Sequence, residues 1–255
     1  MPAPFNDITA TYTSAHAWMY ETVVAPAVYG SRHVIDERFL PHLKQDARIL
    51  DVGSGGGLFT KYIADQRPDV HNVGIDLSKP QIARATKRMR SYADRVRFEL
   101  GDAMQLDFAD RTFDDVISYG SIKHWPSREA GLAECVRVLK PGGPLLITEA
   151  DRSTSFEDAE RFIANYTTSR SLRGISLAIF RTWIAGRSVD LEDARDLAGR
   201  IDLVDKEACR TRVSDAHDFR AATFGGGRKA CHGLLSKAIC AGRNACAGFG
   251  LRVAW

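Results

Sequence analysis

No apolar run in this 255-residue sequence approaches the roughly 18 residues of a membrane-crossing helix. The opening residues, Met1 to Ala10, lack a basic stretch followed by an apolar core, so no secretory signal is expected and the default location is the cytoplasm. Net charge is scarce as well. A formal charge of +3 is too small to argue for a nucleic-acid partner. There are five cysteines, none in the tight CxxC spacing of a zinc site, so no metal is expected. Their odd number, without a secretory signal, reads as free thiols rather than a disulfide framework.

What remains is an ordinary globular mixture, 44% hydrophobic and 26% charged. The length suits one domain carrying an insertion or a small lid. Residues 1–46 show no strand alternation; Tyr12, Trp18, Tyr20 and Tyr29 punctuate a helical arm ending near Pro41. From Ala47 the texture changes. Ala47 to Val52 is a short apolar run, followed by Gly53-Ser54-Gly55-Gly56-Gly57 and a helical stretch from Leu58 to Gln66. The unit then recurs. A second strand runs from Val70 to Ile75 and ends at Asp76. Ser78-Lys79-Pro80 opens a helix to about Tyr92, with proline where a missing N–H costs nothing. Its Lys87, Arg88 and Arg90 read as a solvated face.

A third strand, Arg95 to Leu100, ends at Gly101-Asp102. A fourth spans Phe113 to Tyr119, and Ser127 is placed to cap the helix that follows and ends at Leu139. Lys140-Pro141-Gly142-Gly143 stops that helix. Leu145 to Thr148 is the fifth strand, a helix covers about Leu191 to Arg200, residues 201–207 read as a sixth strand, and 218–223 as a seventh, antiparallel one. Strands alternating with helices imply an α/β, doubly wound, mostly parallel sheet. Ligands bind such sheets at the carboxyl ends of the strands, near the reversal of strand order.

Those ends carry the chemistry. After the first strand stands Asp51-x-Gly53-x-Gly55-x-Gly57, whose glycines let backbone approach a ligand and expose N–H groups at a helix start. Asp51 lies in an otherwise apolar strand, where a carboxylate is costly unless partnered. Asp76 follows the second strand and is suited to gripping a ribose diol. Asp102 follows the third, where a plain turn-forming role competes with function. Tyr119 to Trp125 follows the fourth.

Together these residues resemble the class I S-adenosylmethionine (SAM)-dependent methyltransferases. The first loop matches that family's (D/E)xGxGxG pattern without a gap, and Arg137-Val138-Leu139-Lys140-Pro141-Gly142-Gly143 looks like its link into the fifth strand. The resemblance covers about residues 46–150. It implies a seven-stranded sheet and SAM as cofactor, leaving S-adenosylhomocysteine as product. It assigns cofactor contacts to Asp51, Gly53, Ser54, Gly55, Gly57, Asp76, Leu77, Gly101, Asp102, Ala103 and Tyr119. In the family the acid after the second strand binds the ribose hydroxyls and the acid after the third meets the adenine amino group. Asp51 would sit by the methionine end. A nicotinamide dehydrogenase is the competing reading, but the sixth position of its GxGxxG fingerprint, counted from Gly53, is Leu58 instead of Gly or Ala.

Methyl transfer needs positioning above all, and a general base only where the acceptor must lose a proton. His124 is the candidate base, with packing beside Trp125 as its alternative role; Tyr119 and Glu149 are weaker candidates. The acceptor site falls to the variable parts: the N-terminal arm and a helical lid inserted at about 151–190. That insert holds Phe156, Phe162, Tyr166, Phe180 and Trp183, with Arg152, Arg170, Arg173, Arg181 and Arg187. Aromatics at helical spacing usually form core, and some could roof a small-molecule pocket. The expected division is an arm at 1–46, a SAM-binding domain at 47–228 and an atypical tail at 229–255, in a monomer or homodimer. Three functions stay open: a small-molecule methyltransferase, a SAM-binding scaffold without catalysis, and an NAD-dependent oxidoreductase.

Overall fold

A computed structural model of the protein describes residues 29–166, 173–213 and 219–224. Most of the expected arm and all of the expected tail lie outside these residues, as do Tyr12, Trp18, Tyr20 and Arg170. The described chain opens with a short helix, α1 (His33–Arg38), before strand β1 (Arg48–Val52). Then come α2 (Leu58–Gln66), β2 (His71–Asp76), α3 (Lys79–Arg88), β3 (Val96–Leu100), β4 (Asp115–Tyr119), α4 (Arg128–Val138) and β5 (Leu145–Ala150). The insert follows as α5 (Phe156–Tyr166) and α6 (Arg173–Ile179), the latter continuing as a π-helical turn over Phe180–Ala185. Helix α7 (Leu191–Arg200) leads to β6 (Ala208–Val213) and β7 (Phe219–Phe224).

The strands lie in the order 3-2-1-4-5-7-6. The first five are parallel, and β7 pairs antiparallel with both β5 and β6. Strand order reverses between β1 and β4, so the carboxyl ends of these two strands flank the crevice where such sheets bind ligands. Alternation along the strands divides the core in two. Leu50, Val52 and Val116 face Leu132, Cys135, Ala194 and Leu197 of α4 and α7. Ile49, Ile117 and Tyr119 face Val34, Ile35 and Ile63 of α1 and α2. Strands buried on both faces read as continuous apolar runs, which is why the parallel body was visible in the sequence.

The ends of elements shift for physical reasons. The helix expected to reach Tyr92 stops at Arg88, and a 3-10 turn covers Arg90–Tyr92. Ser127 caps α4 as expected, accepting the Ala130 amide at 3.1 Å. Ser78 stands at the N-cap of α3, but its hydroxyl does not cap; its own amide donates to Asp76.

The strand expected at 201–207 is not one. Ile201 and Leu203 are buried, but in a loop: Asp205 takes a positive φ of 50°, and Lys206 donates to the Ile201 carbonyl at 2.7 Å. Acidic residues at 202 and 205 disfavour a strand, and the sixth strand begins instead at Ala208.

The insert is helical. Its Phe162 and Phe180 are buried against each other, ring centroids 5.1 Å apart, within a cluster with Ala159, Ile163 and Ala185. These two rings therefore form the insert's own core instead of the pocket roof considered above. Arg152 pairs with Asp190 and Asp193, and Arg181 lies over the exposed Phe156 ring.

Candidate active site

The glycine loop joins β1 to α2 across the end of β2. The amides of Gly53 and Ser54 both donate to the Ile75 carbonyl, at 2.9 and 2.8 Å. Gly53 has a φ of 76°, and a β-carbon there would stand 2.3 Å from Ser121. Both conditions demand glycine. Gly57, also left-handed, forms the N-cap of α2. Ser54 turns inward: its hydroxyl is buried without a hydrogen-bond partner and rests against Gly74. Its place in the loop is fixed through its backbone amide.

Asp76 is gripped by this loop. The Gly55 amide donates to its Oδ2 at 2.9 Å and the Ser78 amide to its Oδ1 at 2.8 Å. Each oxygen keeps a lone pair, so the carboxylate is oriented yet still able to accept from a diol. Burial raises its pKa above the usual carboxylate value, opposed by these two amides. Leu77 beside it is 46% exposed, and Leu100, opposite Asp76 in the β2–β3 register, is 53% exposed. Large apolar side chains left open next to a ribose-type carboxylate suit the face of a planar ring.

Asp51 is 2% exposed, and Thr60 of α2 donates to its Oδ2 at 2.6 Å. Burial pushes its pKa up to about 7; the Thr60 hydroxyl opposes that shift and the nearby Asp76 adds to it. A buried acid with one neutral partner favours a cation in its vicinity. Gly101 donates to the Asp76 carbonyl at 3.1 Å, tying the ends of β2 and β3 together. Asp102 is half-buried, and its Oδ1 accepts the Met104 amide at 2.9 Å. Its turn role and its place at a strand end thus coexist. Ala103 packs against the edge of the core.

On the far side of the crevice, two expectations change. The Tyr119 hydroxyl donates to the Ser31 carbonyl at 2.9 Å, lies 2.6 Å from the Ser31 hydroxyl, and its ring stacks on Phe59 at 4.0 Å. Burial drives its pKa up, so the hydroxyl stays protonated and is no base; it holds the segment leading into α1. Glu149 is also committed: it is 2.8 Å from the Lys123 ammonium, with both groups buried. His124 ends a 3-10 turn, Ile122–His124, just past β4. Burial, with the charges of Lys123 and Arg187, lowers its pKa to about 3.

The site residues expected from the sequence thus gather at the carboxyl ends of β1 to β4. Sequence reasoning missed Thr60 and Leu100, and it missed the pairing of Lys123 with Glu149, a residue considered above only as a base. Thr60 had a signal: a carboxylate within an apolar strand needs a partner, and the following helix is the nearest source.

Comparison with known proteins agrees with this geometry. A family profile described as "Methyltransferase domain" matches residues 49–143, from β1 to the turn before β5. An O-methyltransferase rstn1 of Aspergillus nomiae is 32% identical over 157 residues, covering 60% of this chain and 69% of that protein. This chain belongs to the class I SAM-dependent methyltransferases. A phosphoethanolamine N-methyltransferase of Caenorhabditis elegans is 30% identical over 192 residues, 74% of this chain but 39% of that methyltransferase. The chain spans less than half the length of several curated methyltransferases that it matches, 39%, 48% and 24% for three of them. A solved structure, a SAM-dependent methyltransferase from Aquifex aeolicus, shares the methyltransferase fold with a TM-score of 0.62 at 12% identity, covering 84% of this chain and 98% of that one.

The site fits the cofactor of this family on its own geometry. The loop is open at Gly55, where a β-carbon would meet only the Gln81 side-chain nitrogen at 3.9 Å, Asp51 favours a nearby cation, and Asp76 is oriented beside the open Leu77.

Proposed function

We propose that this chain transfers the methyl group of SAM to a small-molecule acceptor by in-line displacement. The observation that carries the reading is the carboxylate of Asp76, oriented by the Gly55 and Ser78 amides at the mouth of the glycine loop. Bound SAM supplies a methyl group already activated on a sulfonium. Asp76 would accept from the ribose hydroxyls, Leu77 would cover a face of the adenine, and Asp102 would accept from its amino group. Asp51 would hold the positively charged methionyl end. Gly53 to Gly57 let the backbone pass close by. Holding acceptor and methyl donor in line provides much of the acceleration, with no metal in the scheme.

His124 is the candidate base on the acceptor side. With a pKa near 3 it is neutral at physiological pH and can accept a proton or hydrogen bond, but it is weak. A base so weak gives little drive for deprotonating an ordinary alcohol. It suits an acceptor with an acidic proton, or one that only needs orienting. The small-molecule class is supported by relatives whose names specify demethylmenaquinone and 27-O-demethylrifamycin SV as methyltransferase substrates. In this scheme residues 47–228 are the catalytic domain, the helical insert at 151–190 is its lid, and the chain is a cytoplasmic monomer or homodimer.

Titration calorimetry with SAM, S-adenosylhomocysteine and NAD tests the reading, with Asp76→Ala as control. Micromolar binding of both adenosyl ligands, weakened by the substitution, supports it. Binding of NAD alone overturns it. Tight SAM binding with no turnover across an acceptor screen would favour the scaffold reading.

A further inference from the structure

The most unusual side-chain arrangement outside the cofactor contacts is a buried ion pair at the carboxyl rim of the sheet. Lys123 and Glu149 have side chains 5% and 1% exposed, with the ammonium 2.8 Å from Oε1. Glu149 is the next-to-last residue of β5, and Lys123 is the centre of the turn after β4. The carboxylate binds that turn twice, because the Lys123 backbone amide also donates to Oε2 at 3.3 Å. Oε1 further accepts the Ala150 amide at 2.9 Å. The Lys123 ammonium reaches back to the Gly120 carbonyl. Gly120 itself is left-handed, with a φ of 72°, and its amide donates to the Thr148 carbonyl at 2.7 Å. The turn is therefore pinned at its start by a strand-type bond and at its middle by a charge.

We propose that the Lys123–Glu149 pair is a positioning device that sets the acceptor-side turn, and the His124 ring it carries, against the end of β5. This rests on the reading of the β4 rim as the acceptor side. Energetics favour position over stability. Withdrawing two charges from water costs about as much as their attraction returns, and apolar residues of similar volume often replace such a pair without loss. The better-attested use of a buried pair is to fix register. Here the register fixed is that of a six-residue link, Gly120 to Trp125, whose ends are already held by the Gly120–Thr148 bond and by Ile122 and Trp125 in the core, while the pair fixes its middle. The neighbouring residue, His124, has a ring whose setting depends on that turn: its own amide donates to the Ser121 carbonyl at 2.9 Å, within the pinned segment.

The test uses the full chain labelled with ¹³C on histidine rings, with His124→Gln to assign the His124 resonance. The variants are Lys123→Met with Glu149→Leu together, and Glu149→Gln alone as a milder change. Each is measured for thermal midpoint, S-adenosylhomocysteine affinity and broadening of the His124 ring resonance by a soluble paramagnetic agent, a readout of exposure that does not depend on the Lys123 charge acting on the ring. A positioning pair predicts S-adenosylhomocysteine affinity within about threefold of the parent and, in both variants, at least about twofold greater broadening of the His124 resonance as the ring gains solvent. Unchanged His124 broadening in both variants overturns the proposal, whatever happens to the midpoint. If the double variant does not fold, Glu149→Gln decides by the same readout. Failure of the parent chain to bind S-adenosylhomocysteine would sink the methyltransferase reading instead, and the His124 broadening would still report on the pair.

Discussion

The Gly55 amide donates to Oδ2 of Asp76 at 2.9 Å, coupling the loop after β1 to the carboxylate that ends β2. One side chain thereby organises its own binding loop. Asp76→Ala removes the ribose acceptor and releases the loop together. Charge-assisted hydrogen bonds contribute about 1.5–3 kcal/mol each, so loss of even one should lower S-adenosylhomocysteine affinity by at least about 10- to 100-fold. Calorimetry at pH 8 measures this. An affinity within a factor of about two of the parent would show that Asp76 does not hold the ligand.

Asp51 makes cofactor affinity depend on pH. Its pKa near 7, raised by burial, means that the free protein keeps this carboxyl partly protonated at neutral pH. A cationic ligand end favours the ionised form, so binding lowers that pKa and releases a proton when the pH is below it. Affinity for SAM should therefore rise from pH 6 to pH 8 and then level off. Asp51→Asn should flatten the curve and bind more weakly at pH 8. Calorimetry at pH 6 in buffers of different ionisation enthalpy counts the released proton directly.

The parallel body and most of the site were legible because both rest on local rules. Apolar runs buried on two faces gave β1, β2, β4 and β5 to within a residue or two, and the glycines after β1 marked the loop. Contacts between distant segments were not legible. Nothing local in Tyr119 signals that Ser31 will take its hydroxyl, and nothing in Lys123 signals Glu149. The misplaced sixth strand has a local cause: Ile201 and Leu203 alternate like strand residues, but they pack into the core from a loop.

Asp115 opposes stability at the other end of the sheet. It starts β4, is 2% exposed, and has a buried Oδ2 without a hydrogen-bond partner. Burial, aided by Asp114, pushes its pKa up to about 7 against the partial relief from Lys44, Arg67 and Lys140. A raised acid pKa means that the unfolded chain loses its proton first as pH rises. The native state then binds more protons, and stability falls between about pH 4 and pH 7. Asp115→Asn removes this penalty. We expect it to stabilise the fold by about 1–3 kcal/mol at pH 8 and by much less at pH 5. Thermal melts of both proteins at the two pH values check the difference, and a gain that does not grow with pH would contradict it.

Tyr119→Phe separates the two bonds that hold the segment before α1. The substitution keeps the ring and its stacking on Phe59, and deletes only the hydroxyl that binds Ser31. Ser31 is 4% exposed, so its carbonyl loses a donor where water has little access. The expected cost is about 1–2 kcal/mol, or roughly 2–8 °C in the thermal midpoint of a chain this size. Because the hydroxyl faces Ser31, S-adenosylhomocysteine affinity should stay within about threefold of the parent. A large loss of affinity with an unchanged midpoint would show that the Tyr119 hydroxyl serves the cofactor and not the segment before α1.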